Sequence, residues 1–231
     1  MRKGTVTSFL SFVKETENLN TVVDLVVFRG QPCQGNLLPG IARNDPHCNP
    51  LAAERLVFEQ LNLLGSALLP ATQQKFLDLL VLAQHYSLKT RLLEWTANPL
   101  VALWFACADR RDGDAYVYAL EADRHLDQTP YDLDLSKLNR TLVFQPRFNS
   151  PRIVAQQGWF TLHRRSAKAA KFVALEHNAE MKGQLHEFRV PTENRRGILD
   201  SLDSHGVNAR TVFPDLEGLC RYLNWKHLTE G

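Results

Sequence analysis

Apolar and polar positions along the chain predict helices and strands in mixed order. Phe9, Phe12 and Val13 recur at helical spacing and predict a helix over 8–14. Apolar residues at similar intervals predict helices over 51–64 and from Thr72 onward. Other helices are predicted at 98–109, where Pro99 suits a first turn, and at 195–204 and 216–225. Short apolar runs predict strands over 22–28, 91–95, 115–120, 152–155, 159–163 and 185–190.

This order of elements predicts an α+β fold with a mixed or antiparallel sheet core and flanking helices. The chain has 231 residues, enough for one domain over 1–231, with its core at about 20–225. Hydrophobic residues make up 44% and charged residues 23%, which is ordinary for a folded domain. The net charge of +2 does not by itself favour nucleic-acid binding, although a local basic patch stays open.

Several classes of protein receive no support from the sequence. The N-terminus lacks an apolar signal segment, and the longest apolar run, 98–108, is shorter than the ~20 residues that span a bilayer. We therefore expect no membrane association and a cytoplasmic location. The four cysteines form no C-x-x-C pair, so we expect reduced thiols and no metal site. Walker, G-x-G-x-x-G, H-E-x-x-H and G-x-S-x-G motifs are absent.

Arg29 directly follows an apolar run, where a guanidinium needs partners. Two interpretations stay open. Arg29 could pair with an internal carboxylate, or its planar fork could bind a ligand's phosphate or carboxylate. Gly30 would let a ligand approach the backbone closely.

Residues 84–96 form the densest polar cluster and lie between two apolar helical segments, an arrangement typical of a site. The cluster contains Gln84, His85, Tyr86, Thr90, Arg91, Glu94 and Thr96. Gln156 and Gln157 lie at a predicted kink between two strands. Their amides could recognise a base or an amide by hydrogen bonds, or could satisfy backbone groups at a bulge. A basic stretch with Arg164, Arg165, Lys168, Lys171 and Lys182 is either a solvated face or a nucleic-acid contact surface.

Four motifs in this order resemble the FRG-domain family and span about residues 22–222. They are Phe28-Arg29-Gly30, Gln84 to Thr96 with the following Asn98 to Ala106, Arg152 to Phe160, and Phe213 to Leu219. Ser87 stands where the family usually has glycine, and Glu94 where it usually has aspartate.

The resemblance implies an architecture similar to that of ADP-ribosyltransferases. Such folds hold NAD with an arginine or histidine on an early strand, which Arg29 matches. A strand ending in a hydroxyl residue before an alanine-rich helix follows, which Thr96 matches. A catalytic glutamate on a later strand would fall near Gln156 or Gln157, and a glutamine cannot ionise. Either Glu94 supplies the charge, or the protein binds a nucleotide without transferring it, or the correspondence with those folds does not hold.

The leading hypothesis is an NAD-dependent ADP-ribosyltransferase with NAD as its substrate. Its acceptor would be nucleic acid or protein, and it would act as a toxin or phage-defence effector with an antitoxin or regulatory partner. Arg29 would hold the pyrophosphate, Glu94 would stabilise the ribosyl cation and His85 would act as general base. The expected NAD-binding set is Arg29, Gly30, Tyr86, Thr90, Arg91, Thr96, Gln156, Gln157 and Phe160, with Tyr86 or Phe160 stacking on nicotinamide.

Two other hypotheses stay open. The first is a non-catalytic module that binds a nucleotide or RNA, favoured by the glutamines at 156 and 157. The second is a hydrolase that uses His85 and Glu94 on a phosphate or glycosidic bond.

Overall fold

The computed structural model describes residues 1–20, 23–43, 50–69, 75–109, 111–165 and 171–228. The strands are β1 (Arg2–Thr5), β2 (Val26–Gln31), β3 (Leu92–Thr96), β4 (Ala115–Glu121), β5 (Leu142–Phe144), β6 (Gly158–Leu162) and β7 (Leu185–Val190). The α-helices are α1 (Phe9–Asn20), α2 (Pro50–Leu64), α3 (Phe76–His85), α4 (Pro99–Cys107), α5 (Pro151–Ala155), α6 (Thr192–Ser204), α7 (Ala209–Val212) and α8 (Leu216–Leu228). The predicted α+β class is confirmed.

The seven strands form one sheet in the order β1-β7-β4-β2-β3-β6-β5. Only the edge pair β1 and β7 is parallel, and the other neighbours are antiparallel. Strand β2 pairs with β4 along its whole length, but it pairs with β3 at a single position, Phe28 opposite Thr96. The sheet therefore consists of two well-paired halves that meet at one residue pair.

Helix α4 fixes this meeting point from one face of the sheet. Asn98 caps the helix, because its side-chain oxygen accepts from the backbone N–H groups of Leu100 and Val101. The helix packs so closely on β2 that a Cβ added at Gly30 would lie 1.9 Å from the carbonyl oxygen of Ala102. Gly30 is thus required by helix packing, which is a different reason from the ligand approach expected from the sequence.

Apolar residues on both faces of the sheet form the core. One cluster joins α1, α4 and α6 to β2, β4 and β7, and a second covers the opposite face of the sheet. A third packs α3 and α5 against β3, β5 and β6. No helix in the described part of the chain is long and apolar enough to cross a membrane.

Some predicted elements were wrong in type or extent. The predicted strand over 152–155 is helix α5, because Pro151 provides a first helical position and Gln156 ends the helix. Strand β2 continues through Arg29 to Gln31, so Arg29 lies within a strand and not after one. Strands β1 and β5 and helix α7 were not predicted. The predicted start of a helix at Thr72 and the beginning of the 22–28 strand lie outside the described residues.

Candidate functional site

The space between β2 and β3 is occupied by the side chain of Arg29. Its Nη1 donates to the backbone carbonyl oxygen of Glu94 at 2.8 Å, and its Nε donates to Oε1 of Gln31 at 3.0 Å. A side chain on β2 thus satisfies a carbonyl on β3 that a strand pair would otherwise use. The two strands are held together here while their backbones stay apart.

The charge of Arg29 has no carboxylate bonded to it among these contacts. Burial, and then the positive charge of Arg43, lower the pKa of Arg29 to about 10, while the charge of Glu94 opposes this shift. Arg29 is still cationic at neutral pH. A partly desolvated cation that faces a second cation gains stability from a bound anion, so this position favours an anionic ligand.

A cavity of about 570 Å³ opens at the end of β2, and we call it the basic cavity. Its lining contains four cationic side chains, Arg29, Arg43, Arg111 and Lys171. No carboxylate is present among the described residues that line it. Arg111 forms an ion pair with Asp109 at 3.4 Å, and Arg43 donates to the carbonyl of Leu38 at 2.8 Å. The net positive charge of the lining suits a phosphate-bearing ligand.

A smaller cavity of about 150 Å³ shares Arg29 and Gly30 with the basic cavity, and we call it the carboxylate cavity. Its lining combines one carboxylate, one amide and one hydroxyl with aromatic rings. The residues are Glu94, Gln156 and Thr96, with Phe28, Trp95 and Phe105. The predicted residues Arg29, Gly30, Glu94, Thr96 and Gln156 therefore meet around one opening.

Glu94 is solvent-accessible, but protein atoms crowd its carboxylate in this recess. Crowding by protein raises the pKa of Glu94, and Arg29, a hydrogen bond from Gln84 and Arg43 each oppose the rise. Thr90 holds Gln84 in turn, because its hydroxyl donates to Oε1 of Gln84 at 2.7 Å. Thr90 is fully buried, so it supports the site from behind and does not contact the cleft.

Comparison with protein families identifies part of the chain that forms this opening. Residues 24–115 match the model of the FRG domain. The chain carries an FRG domain. No curated protein and no solved structure gave a significant match. The FRG match includes Arg29 and Glu94 with strands β2 and β3 and helix α4, and Gln156 lies beyond it.

The turn between α5 and β6, outside the FRG match, closes the opening through hydrogen bonds of Gln156 and Gln157. The hydroxyl of Thr96 donates to the carbonyl of Gln156 at 2.6 Å and accepts from the backbone N–H of Asn98 at 2.9 Å. The side chain of Gln156 donates to the carbonyl of Val212 at 3.2 Å. Gln157 has a φ of +47° and its carbonyl accepts from the N–H of Ala97 at 3.0 Å. Thr96 and both glutamines thus fix the wall of the FRG-domain cleft.

Two predicted residues at the end of α3 lie away from the cavities. His85 contacts Oγ of Ser150 at 3.2 Å, and burial together with Arg152 lowers the pKa of His85. Tyr86 is 79% exposed and meets the His85 ring edge-on. Neither side chain lines the basic or the carboxylate cavity. The geometry does not support His85 as a base or Tyr86 as a stacking platform at this site.

Two further predicted residues serve the core. Arg91 forms a nearly buried ion pair with Glu54 on α2, and its Nε donates to that carboxylate at 2.6 Å. Phe160 is 3% exposed and stacks on Phe144 with the ring centroids 5.7 Å apart. Phe160 therefore has no free face for nicotinamide. Arg91 anchors the start of β3 within the FRG domain.

Sequence reasoning missed Arg43, Arg111 and Phe105 as members of the site. Arg43 follows a short helical turn whose Ile41 N–H donates to the carbonyl of Thr90 at 3.2 Å, which brings this loop to β3. Arg111 follows α4, and Phe105 lies on it. The three positions meet only through tertiary packing, so spacing along the chain carried no signal for them. Lys171 was placed in a basic stretch, without a link to Arg29.

Proposed function

We propose that this FRG-domain protein is an ADP-ribosyltransferase that uses NAD and modifies nucleic acid or protein. One observation carries the proposal. A cavity lined with cations and a cavity containing a carboxylate share Arg29 and Gly30. A dinucleotide with a pyrophosphate and a reactive ribose needs these two environments side by side.

The basic cavity suits the pyrophosphate of NAD. Its volume of about 570 Å³ lies within the usual range for small-molecule sites of roughly 300–1,000 Å³. Arg29 would turn its guanidinium fork from Gln31 toward the phosphate oxygens, since charge-assisted bidentate contacts exceed a bond to a neutral amide. Arg43 and Lys171, which line the same cavity, would add attraction.

The carboxylate cavity suits the nicotinamide end. Its volume of about 150 Å³ admits a single ring, and Trp95 and Phe105 supply apolar surface around it. The amide of Gln156 lies at the same cavity and would hydrogen-bond the carboxamide of nicotinamide. Phe105 replaces Tyr86 and Phe160 as the aromatic neighbour of the ring.

The chemistry would proceed at the ribose carbon C1′. The bond between C1′ and the nicotinamide nitrogen breaks, and its electron pair leaves with nicotinamide. Glu94 stabilises the positive charge that develops on the ribose. An oxygen or nitrogen of the acceptor then bonds to C1′, and its proton passes to the Glu94 carboxylate, whose raised pKa makes it a better base than an ordinary glutamate.

The arrangement of strands supports the same reading. The resemblance to ADP-ribosyltransferases implied an arginine strand, a hydroxyl-ended strand before a helix, and a later third strand. These correspond to β2 with Arg29, β3 with Thr96 before α4, and β6 after Gln156. The three strands are neighbours in the order β2-β3-β6.

The proposal is tested by nicotinamide release from NAD in the presence of nucleic acid or cell lysate. Wild type should release nicotinamide, and Arg29→Ala should lower the rate by about 100-fold or more. Arg196→Ala is the matched control, because this arginine lies on α6, lines neither cavity and should leave the rate unchanged. Equal and negligible release by wild type and Arg29→Ala would contradict the proposal.

A second candidate function is nucleotide binding without transfer. It is favoured because the turn between α5 and β6 brings the amide of Gln156 to the cleft in place of a second carboxylate. This candidate predicts that NAD raises the unfolding temperature of wild type but not of Arg29→Ala, with no nicotinamide released by either.

A further inference from the structure

A larger groove adjoins the basic cavity at Phe172, whose side chain lines both spaces. This outer groove has a volume of about 1020 Å³ and is lined by residues of α2 and by residues within 133–139 and 163–165. His163 lines it close to the basic cavity. Burial lowers the pKa of His163, and the nearby charges of Arg29 and Arg43 lower it further. The outer groove therefore borders the proposed NAD site at Phe172.

The lining of the outer groove contains more cationic than anionic side chains. Each lining carboxylate is held by a lining cation: Glu54 by Arg91, Glu59 by Arg55, and Asp134 by Lys137. Arg164 adds a further cation to the same lining. Arg164 Nη1 donates to the neutral carbonyl of Asn139 at 2.9 Å, and its buried Nε has no hydrogen-bond partner within the described residues. The surplus cationic charge suits an anionic ligand.

The outer groove also offers an accessible aromatic ring. Phe76 is 43% exposed and meets Phe58 edge-on, with ring centroids 5.2 Å apart. Both rings line the groove, and Phe58 is buried and holds Phe76 in place. An exposed aromatic face beside cations is the combination that binds unpaired bases along a phosphate backbone. A phosphopeptide would use the cations but would leave the ring without a role.

We propose that the outer groove binds single-stranded nucleic acid, and that this strand is the acceptor of ADP-ribose. The transfer rests on the proposed function, whereas binding of the strand does not. Arg164 contacts a phosphate and Phe76 stacks on a base. A nucleophilic oxygen or nitrogen of the strand, placed past Phe172, bonds to C1′ of the ribose as nicotinamide leaves, and its proton passes to Glu94. A duplex keeps its bases stacked and cannot use Phe76.

Binding is measured without NAD, by fluorescence anisotropy of labelled DNA and RNA single strands of about 12 nucleotides, a common site length. Arg164→Gln should weaken binding about fivefold and reduce the salt dependence by about one phosphate contact. Phe76→Leu keeps the apolar volume, removes the stacking face and should weaken binding about tenfold. Arg196→Gln removes the same charge from α6, outside the groove, and should bind within about twofold of wild type.

Three results would overturn the proposal. Wild type could bind the single strands no tighter than the duplex of the same sequence or an acidic polypeptide of equal charge. Arg164→Gln and Phe76→Leu could both bind like Arg196→Gln. Adenine-labelled NAD could transfer its label to protein alone, in which case the proposed function stands and the nucleic-acid acceptor does not. If wild type releases no nicotinamide while Arg164→Gln weakens strand binding, the transferase proposal is rejected. The outer groove would still be a binding site for single-stranded nucleic acid.

Discussion

Strand β2 meets its two neighbours in different ways. Toward β4 it pairs at six positions, from Val26 opposite Glu121 to Gln31 opposite Tyr116. Toward β3 it pairs only at Phe28 and Thr96, and the guanidinium of Arg29 bonds across the remaining space. We call these the closed seam and the open seam. Arg29, Glu94 and Thr96 of the candidate site lie at the open seam.

The difference indicates where stability and where binding reside. The closed seam satisfies its backbone groups internally and has no vacancy for a ligand. The open seam replaces backbone pairing with a charged side chain that an anion can recruit. Gly30 belongs to both regions, because α4 packs against it while both cavities open beside it.

The largest expected effect is on nicotinamide release, which should depend on the open seam and not on the closed seam. Glu94→Gln at the open seam should lower nicotinamide release by about 100-fold or more, because it removes the charge that stabilises the ribosyl cation. Its unfolding free energy at neutral pH should equal or exceed that of wild type. The raised pKa means that the folded protein ionises Glu94 unfavourably, so stability is lost as pH rises through that pKa.

The matched control lies in the closed seam. Leu120→Ala removes a fully buried side chain opposite Val27 and should reduce the unfolding free energy by about 2–5 kcal/mol. Nicotinamide release per folded molecule should not change. If Glu94→Gln lost stability as Leu120→Ala does, Glu94 would be a structural residue.

The second effect concerns the support of β2 by α4. Gly30→Ala places a Cβ 1.9 Å from the carbonyl oxygen of Ala102 and should cost about 3 kcal/mol of unfolding free energy or more. Gly197→Ala is the control, since Gly197 lies in α6 with nothing within 4 Å of the added Cβ. It should gain about 0.5–1 kcal/mol from helix propensity. Chemical denaturation measures both, and equal stability of the two variants would contradict the packing account.

The third effect concerns the one pair that joins the halves of the sheet. Thr96→Val leaves the carbonyl of Gln156 and the N–H of Asn98 without their partner and should cost about 2 kcal/mol. Thr192→Val, at an exposed position, should cost less than about 0.5 kcal/mol. Nicotinamide release should fall in Thr96→Val alone, because Gln156 loses its anchor. Unchanged nicotinamide release in Thr96→Val would show that Gln156 is not part of the active site.

The smallest effect is on the pH profile. Nicotinamide release requires ionised Glu94, so the rate should rise with pH through a midpoint above the ordinary glutamate pKa of about 4.3. Arg43→Ala removes a charge that lowers the pKa of Glu94, and the midpoint should move to higher pH. A midpoint that stays in place in Arg43→Ala would show that a different group controls the rate.

Much of the fold followed from patterns local to the chain. Helix α4 was recognised because Pro99 suits its first turn, and β7 was recognised as a short apolar run. The error at α5 came from a short apolar segment, for which periodicity does not separate strand from helix. Strand β1 was missed because it is polar and mostly exposed, and it pairs with β7, which is far along the chain.

The candidate site was only partly predictable. Arg29, Glu94, Thr96 and Gln156 line one cavity, because β2 carries Arg29, the adjacent β3 carries Glu94 and Thr96, and Gln156 ends the helix before β6. Arg91 was misassigned, since the sequence does not reveal that Glu54 on α2 reaches it. Arg43 and Phe105 depend on long-range packing, which neither composition nor spacing encodes. Local rules thus located the open seam but not its complete lining.

The most direct test of the central claim is a crystal structure of the protein soaked with NAD. Arg29 should leave Gln31 and donate to the pyrophosphate in the basic cavity, which Arg43 and Lys171 also line. The nicotinamide ring should occupy the carboxylate cavity beside Glu94 and Gln156. NAD bound elsewhere, with Arg29 still bonded to Gln31 and the carbonyl of Glu94, would contradict the claim that the open seam is the NAD site.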